Sequence, residues 1–392
     1  MQNRYLHNLI QKDLHEKMVF LAGPRQVGKT VLAKLIGETD YKNFQYLNWD
    51  DRKDRESILS EKWDPEAKLL IFDEIHKFKS WKNSLKGIYD KNQDLFHILV
   101  TGSARLDMYR KSGDSLLGRY HLYRLHPFSL GEVLNEKPAL SVPFEPMHFK
   151  SPSAETNELL NTLLHFGGFP EPFIKQDEKT LRRWQNSRMD RLIKEDIRDA
   201  TLLRDMSALQ IMVDLLPSKV GSLFSINSLQ EDLHVTHRTL TLWTTVLEQF
   251  YYHYRIYPFS SSIIKSLRKE PKLYLWDWSE VKDEGAQFEN MVAGHLLKFC
   301  HLLRDAEGYK AELNYLRDVD GREVDFLVSI DKKPWFAVEV KISDKNPSKF
   351  LNYFGEKLGI PSLYQVVKTE NVDILENSVR VISADKFLSA LP

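Results

Sequence analysis

The chain has 392 residues, 42% hydrophobic and 28% charged, with no low-complexity tract, which excludes disordered and fibrous classes and leaves room for two to four domains, each with its own core. Lys plus Arg and Asp plus Glu number 55 each, so no global basic field drives nucleic-acid binding, and any DNA contact has to be local. The single cysteine, Cys300, excludes an intramolecular disulfide, no Cys/His grouping has zinc-ligand spacing, and no stretch has the apolar continuity of a signal peptide or membrane span; the expected setting is a reducing cytoplasm with no membrane partner.

From residue 18 to about 126, short apolar runs alternate with amphipathic stretches, the pattern of strand-helix units wound into a parallel sheet. Met18 to Ala22, Phe44 to Trp49, Leu69 to Asp73, Phe96 to Thr101 and Tyr120 to Leu125 read as its strands, because strands buried on both faces are apolar throughout. The run HPFSLGE at 126–132 breaks the pattern, and a Pro- and Ser-rich stretch to Ser153 follows, so a domain boundary is expected at 135. Residues 155–215 read as a charged helical connector interrupted by Gly167-Gly168-Phe169-Pro170. Ile226 to Leu233 and Arg238 to Gln249 read as helices and Tyr251 to Tyr257 as a strand, an order that suggests a winged helix. Beyond about 272, a helix around Phe288 to Phe299 precedes two alternating segments, Arg322 to Ile330 and Trp335 to Ile342, which flank a turn and read as a hairpin.

Gly23-Pro24-Arg25-Gln26-Val27-Gly28-Lys29-Thr30 matches G-x-x-x-x-G-K-[ST] between a predicted strand and a predicted helix, the context a phosphate-binding loop requires. Its glycines let backbone amides turn toward phosphates, Lys29 reaches the outer phosphates and Thr30 ligates magnesium. The strand Leu69 to Asp73 then delivers two acids: Asp73 suits the metal and Glu74 suits orienting and deprotonating an attacking water. Together these make ATP and Mg2+ the expected cofactors. Ser103, after the strand ending at Thr101, is placed to sense the terminal phosphate or is an ordinary N-cap; Arg119 is an arginine finger for a neighbouring subunit or a surface arginine before an edge strand.

With GPRQVGKT, LLIFDEIH, VTGSAR, LHPFSLGE and GGFPEPF in this order, the chain resembles a widespread prokaryotic group of AAA-type ATPases. The resemblance spans nearly the whole chain and implies an α/β fold: an AAA-type P-loop sheet of order 5-1-4-3-2 in residues 1–135, a helical lid in 136–215, a winged helix in 216–262, and a small α/β domain like the PD-(D/E)xK nucleases in 263–392. FENMV at 288–292, GREVDFLV at 321–328 and AVEVKIS at 337–343 carry the last part.

Residue by residue, Glu339 and Lys341 are two apart on one strand and share a face. Hairpin pairing brings Asp325 beside Glu339, two carboxylates to hold magnesium, with Lys341 beside a hydrolytic water. Glu289 resembles the additional acid of such nucleases, while Val324 stands where the motif name has proline. Alternating Val-Glu-Val-Lys also describes any half-exposed strand, so two readings stand: an ATP-controlled nuclease acting on DNA, and an ATP-driven switch whose nuclease-like domain is an inactive scaffold for protein or DNA. The helix at 237–249 has Arg238 and His237 as its basic residues, which favours a protein partner over DNA there. Homo-oligomerisation follows from the finger reading of Arg119.

Overall fold

Runs that are apolar on both faces fold as expected into a parallel sheet. In the computed structural model, which describes residues 4–102, 116–135, 143–193, 206–260 and 269–392, the first five strands are β1 (Met18–Ala22), β2 (Phe44–Asn48), β3 (Leu69–Asp73), β4 (His97–Thr101) and β5 (Tyr120–Arg124). Their order is β2-β3-β4-β1-β5, the expected 5-1-4-3-2 read from the other edge, and every pairing is parallel. All residues of β1 and β3 are buried, as crossover helices demand by covering both faces. Those helices are α1 (His7–Leu14), α2 (Lys29–Asp40), α3 (Arg52–Leu59) and α4 (Trp81–Asn92). Phe20, Phe72, Leu85, Ile88 and Val100 meet in one cluster, each such side chain contributing about 1.5–3 kcal/mol by burial. Leu21 lies opposite Thr101, and Thr101 opposite Asp73. The carboxyl ends of β1, β4 and β3 therefore finish level, at the edge where open α/β sheets form their ligand crevice.

The chain forms two compact units, Met1–His126 with Gln249–Tyr251, and Pro127–Glu248 with Tyr252–Pro392. The rest of HPFSLGE after His126 belongs to the second unit. There the Phe128 amide donates to Gly168 O at 2.6 Å, and a Cβ on Gly168 would lie 2.6 Å from Phe128 O and 2.7 Å from the Trp278 ring. The amine of Lys298, 1% exposed, donates to Glu132 Oε2 at 2.5 Å and Ser129 Oγ at 2.7 Å. The HPFSLGE and GGFP runs are thus two halves of one packing joint, which is why both are spelled so distinctively.

The rest of the second unit begins with helices α5 (Leu130–Val133), α6 (Ala154–Phe166), α7 (Pro170–Lys175), α8 (Glu178–Arg191), α9 (Met206–Leu215), α10 (Ile226–Leu233) and α11 (His237–Gln249). An eight-stranded mixed sheet follows, in the order β12-β13-β11-β10-β9-β8-β6-β7. Its strands are β6 (His253–Pro258), β7 (Lys272–Leu275), β8 (Ala311–Arg317), β9 (Glu323–Ile330), β10 (Lys333–Lys341), β11 (Ser362–Val367), β12 (Asp373–Glu376) and β13 (Val379–Ser383). The long helix α12 (Glu284–Ala306) buries Phe288, Met291, Val292 and Leu296, and α13 (Lys349–Leu358) packs Leu351 and Phe354 into a cluster with Val367 and Val379. The strand after α11 pairs antiparallel with β7 and, over Tyr257 and Pro258, parallel with β8; Val220 also bridges to Leu273. It therefore shares a sheet with the C-terminal strands, a partnership that alternation within β6 does not reveal.

Candidate functional site

The loop between β1 and α2 has a backbone only glycine tolerates at its two ends. Gly23 has φ +142° and Gly28 φ +99°, and a Cβ on Gly23 would sit 2.4 Å from Leu125 O. Backbone contacts that close cannot be relieved by a side-chain rotation, so Gly23→Ala is expected to cost about 1–3 kcal/mol. A lowered urea midpoint together with a raised ATP Kd is the expected readout; a variant matching the parent in both would contradict the geometry. Gln26, inside the loop, also has a positive φ of 66°, while the side chain of Val27 is fully buried and pins the loop to the core.

Charged and polar side chains converge on this loop. The Lys29 amine donates to Gly23 O at 2.9 Å and Pro24 O at 2.7 Å, curling back over the loop from the first turn of α2. Thr30, next along, donates its hydroxyl to Asp73 Oδ2 at 2.8 Å. Asp73 is 6% exposed and takes two more hydroxyl donors, Thr101 on Oδ1 at 2.6 Å and Tyr46 on Oδ2 at 2.7 Å. Burial and the hydrogen bond to Asp73 both push the Tyr46 phenol well above its ordinary value, so it stays a donor. The Thr30 hydroxyl and Asp73 carboxylate are hard oxygens side by side, a donor set that fits magnesium held beside phosphates. Glu74 follows Asp73 with a left-handed φ of 56°, which turns its side chain away from the strand direction. Its Oε2 lies 3.5 Å from His76 Nε2 and 3.7 Å from Lys77 Nζ. Burial raises its pKa against the opposing pull of Lys77.

The other two residues read as part of the nucleotide machinery stand apart. Ser103 lies outside the described residues. Arg119 makes a two-pronged contact with Asp90, Nε to Oδ1 at 2.7 Å and the second nitrogen to Oδ2 at 3.0 Å. It sits at the start of β5, whose Tyr120 lies opposite Met18 at the start of β1. The loop leaves the far end of β1, a five-residue strand that spans about 16 Å. Arg119 is thus remote from its own chain's loop.

A second grouping lies in the C-terminal sheet, where pairing of β9 with β10 sets Phe326 opposite Val338 and so brings Asp325 beside Glu339. The Val340 amide donates to Asp325 Oδ2 at 2.9 Å. Glu339 pairs with Lys341 at 2.7 Å, and Glu289 from α12 accepts from the Tyr274 hydroxyl at 2.7 Å. Burial, reinforced by the charge of Asp325, pushes both Glu289 and Glu339 up to about 7. The four residues read from the sequence therefore do come together. Beside two of them, Glu289 and Asp325, is one that was not: Lys272, on β7. Its amine is 3.3 Å from Asp325 Oδ1, 3.5 Å from Glu289 Oε1 and 2.7 Å from Glu323 Oε1. Burial alone would lower its pKa, yet the charges of Glu289, Asp325 and Glu323 raise it above that of an ordinary lysine, so it stays charged. Among the described residues no group of three or more His, Cys, Asp or Glu side chains is arranged to hold a metal ion. The acids do not fit a metal while the lysine is there.

Residues 15–134 match the model of an AAA domain, so this part of the chain is similar to that family. Residues 157–279 match a domain of unknown function, DUF8612, and 284–387 another, DUF4143. Along nearly the full length the chain is similar to the uncharacterized protein MJ1544 of Methanocaldococcus jannaschii, at 22% identity over 93% of this chain and 84% of that protein. It is also similar to the uncharacterized protein Rv2008c of Mycobacterium tuberculosis, at 22% identity over 97% of this chain and 83% of that one. Among solved structures, the Thermotoga maritima RuvB Holliday junction branch migration motor aligns with 64% of this chain and 87% of its own at 19% identity and a TM-score of 0.31, too distant to carry an argument.

Within the first unit, the motif-bearing residues fall where their spacing predicts, and two of their supports do not announce themselves in sequence. Arg4 donates to Val27 O at 2.6 Å and to His126 O at 2.5 Å, strapping the phosphate loop to the chain beyond β5. Tyr46 completes the hydroxyl ring around Asp73; its signal is a polar tip in β2, a strand that pairs directly with β3. No described helix is long and apolar enough to cross a membrane.

Proposed function

We propose that the chain binds and hydrolyses ATP, and that its nucleotide cycle is a switch acting on the C-terminal unit. The contact that supports this most is the one between Thr30 and Asp73, 2.8 Å apart, which joins the start of α2 to the end of β3 through two oxygens suited to one magnesium ion. In this reading the amides from Val27 to Thr30 receive the phosphates, and Lys29 exchanges the carbonyls of Gly23 and Pro24 for phosphate oxygens. Arg25 and Gln26 shape the outer wall, and Glu74 orients and deprotonates the attacking water. Magnesium, when bound, neutralises charge on the outer phosphates. Phosphate release from ATP by the purified chain is the test: magnesium-dependent release matched by ADP is expected, ADP without free phosphate would point to phosphotransfer, and no ADP at all would sink the proposal.

The reading divides the chain functionally into the ATPase domain at 1–135, the helical connector at 136–215, a winged helix at 216–262 and the nuclease-like part at 263–392. Copies associate so that Arg119 leaves Asp90 and enters a neighbour's nucleotide site. Of the two roles open to the C-terminal part, DNA cleavage and a binding module for DNA or protein, the module is favoured because Lys272 is paired to the acids that cleavage would need for metal. α11 serves a protein contact rather than DNA, since Arg238 and His237 are its basic residues and DNA-reading helices use several.

A further inference from the structure

A lysine almost entirely buried among carboxylates is destabilising unless its charge is matched, and the match at Lys272 is nearly complete. Its side chain is 3% exposed, and three carboxylates from two different elements, Glu289 on α12 and Glu323 and Asp325 on β9, lie within 3.5 Å of its amine. Two of those three, Glu289 and Asp325, are acids that a divalent ion would share with Glu339. The amine reaches them although β7 is the outermost strand of the sheet order; β6 meets β8 only over Tyr257 and Pro258, and the ring of Tyr274 on β7 packs against that of Phe326 on β9, centroids 5.6 Å apart. Tyr274, two residues on along β7, shares the face of Lys272 and holds Glu289 by its hydroxyl. The strand thus supplies both a cation and a donor to the acids. Glu339 completes the picture: its side chain is 7% exposed, and its Oε2 is buried with no hydrogen-bond partner among the described residues. Its other oxygen, Oε1, is held by the Lys341 amine at 2.7 Å, so one carboxylate oxygen of Glu339 faces inward with a coordination position to spare.

We propose that the Lys272 amine occupies the cation position of a site built from Glu289, Asp325 and Glu339, so that the intact chain takes up no divalent ion there and a chain lacking that amine does. The physical reason is charge: the ammonium already lies 3.3 Å from Asp325 and 3.5 Å from Glu289, the two acids that Glu339 would join around an ion, and a second cation beside it would meet like charge. The inference rests on the binding-module reading of the C-terminal part and deepens it, since it assigns the loss of metal to one side chain. Unlike a deletion of the acids, exchange of Lys272 leaves every carboxylate in place.

The experiment is manganese binding followed by electron paramagnetic resonance on the nucleotide-free full-length chain, in four forms: parent, Asp325→Asn, Lys272→Met, and Lys272→Met with Asp325→Asn. Any ion at Asp73 is common to all four and subtracts. The parent and Asp325→Asn should bind equally, Lys272→Met should gain one ion per chain, and the double variant should lose it. A manganese ion in the parent that Asp325→Asn removes would overturn the proposal, as would a folded Lys272→Met chain, judged by its melting transition, that gains none. Should Lys272→Met fail to fold, the parent and Asp325→Asn pair still decides, because an open site in the parent contradicts an occupied one. DNA cleavage by the parent would count against the module reading on its own, independently of manganese occupancy.

Discussion

Replacing Lys29 with alanine is expected to weaken ATP binding roughly 30- to 150-fold, the equivalent of about 2–3 kcal/mol for a charge-assisted contact to phosphate, and to bring turnover below detection. The amine is the cationic end of the loop and donates to Gly23 O and Pro24 O. Those carbonyls are neutral and readily left for phosphate oxygens, which carry full charge. Among the described residues, the lysines Lys34 and Lys77 are engaged elsewhere: Lys34 on the Tyr46 ring at 3.9 Å, and Lys77 toward Asp50 at 2.5 Å and Glu74. Equilibrium binding of a fluorescent ATP analogue measures the first effect and phosphate release the second. A Lys29→Ala chain that binds within a factor of two of the parent would remove Lys29 from the phosphate site.

Glu74→Gln separates binding from chemistry. A positioned general base contributes about 100- to 10,000-fold to a rate, so the variant should hold ATP with the parent's affinity and turn it over slower by that factor. The side chains are of equal size, and the left-handed backbone at residue 74 is held by the β3 turn, whose Glu74 amide donates to Thr101 O at 3.0 Å. Because burial lifts the Glu74 pKa above that of an ordinary glutamate, the base loses its charge at a higher pH than a solvated one. Parent turnover should therefore rise with pH across the range where Glu74 ionises, and that rise should vanish in Glu74→Gln. Hydrolysis at the parent rate in the variant would assign the proton to another group.

Much of the first unit was legible because its physics is local. Strands β1 and β3 lie on the residues that continuous apolarity picked out, and a glycine-framed loop between strand and helix has few other uses. The acids of the C-terminal hairpin were legible for a similar reason, as period-two alternation sets Glu339 and Lys341 on one face and the turn sets their register with Asp325. What escaped was long-range. Arg4 stands ahead of the first helix and acts on a carbonyl at Val27 and another at His126, and neither acceptor has a residue signature. HPFSLGE reads as a break in a periodic pattern, although its function is to meet GGFP and Lys298 across the second unit. Lys272 begins the run Lys-Leu-Tyr-Leu, which has no signature of its acid partners: Glu289, Glu323 and Asp325 lie on elements distant in sequence. Side-chain alternation reveals which face a residue occupies and is silent on which strand will come to lie against it.

The central claim, a triphosphate held by the loop with its metal between Thr30 and Asp73, is tested most directly by calorimetric titration of ATP into the nucleotide-free chain with and without magnesium. Saturable uptake of one nucleotide per chain, tightened by magnesium and with that tightening lost in Asp73→Ala, is the predicted result. No saturable uptake, or uptake that ignores both magnesium and Asp73, would contradict it.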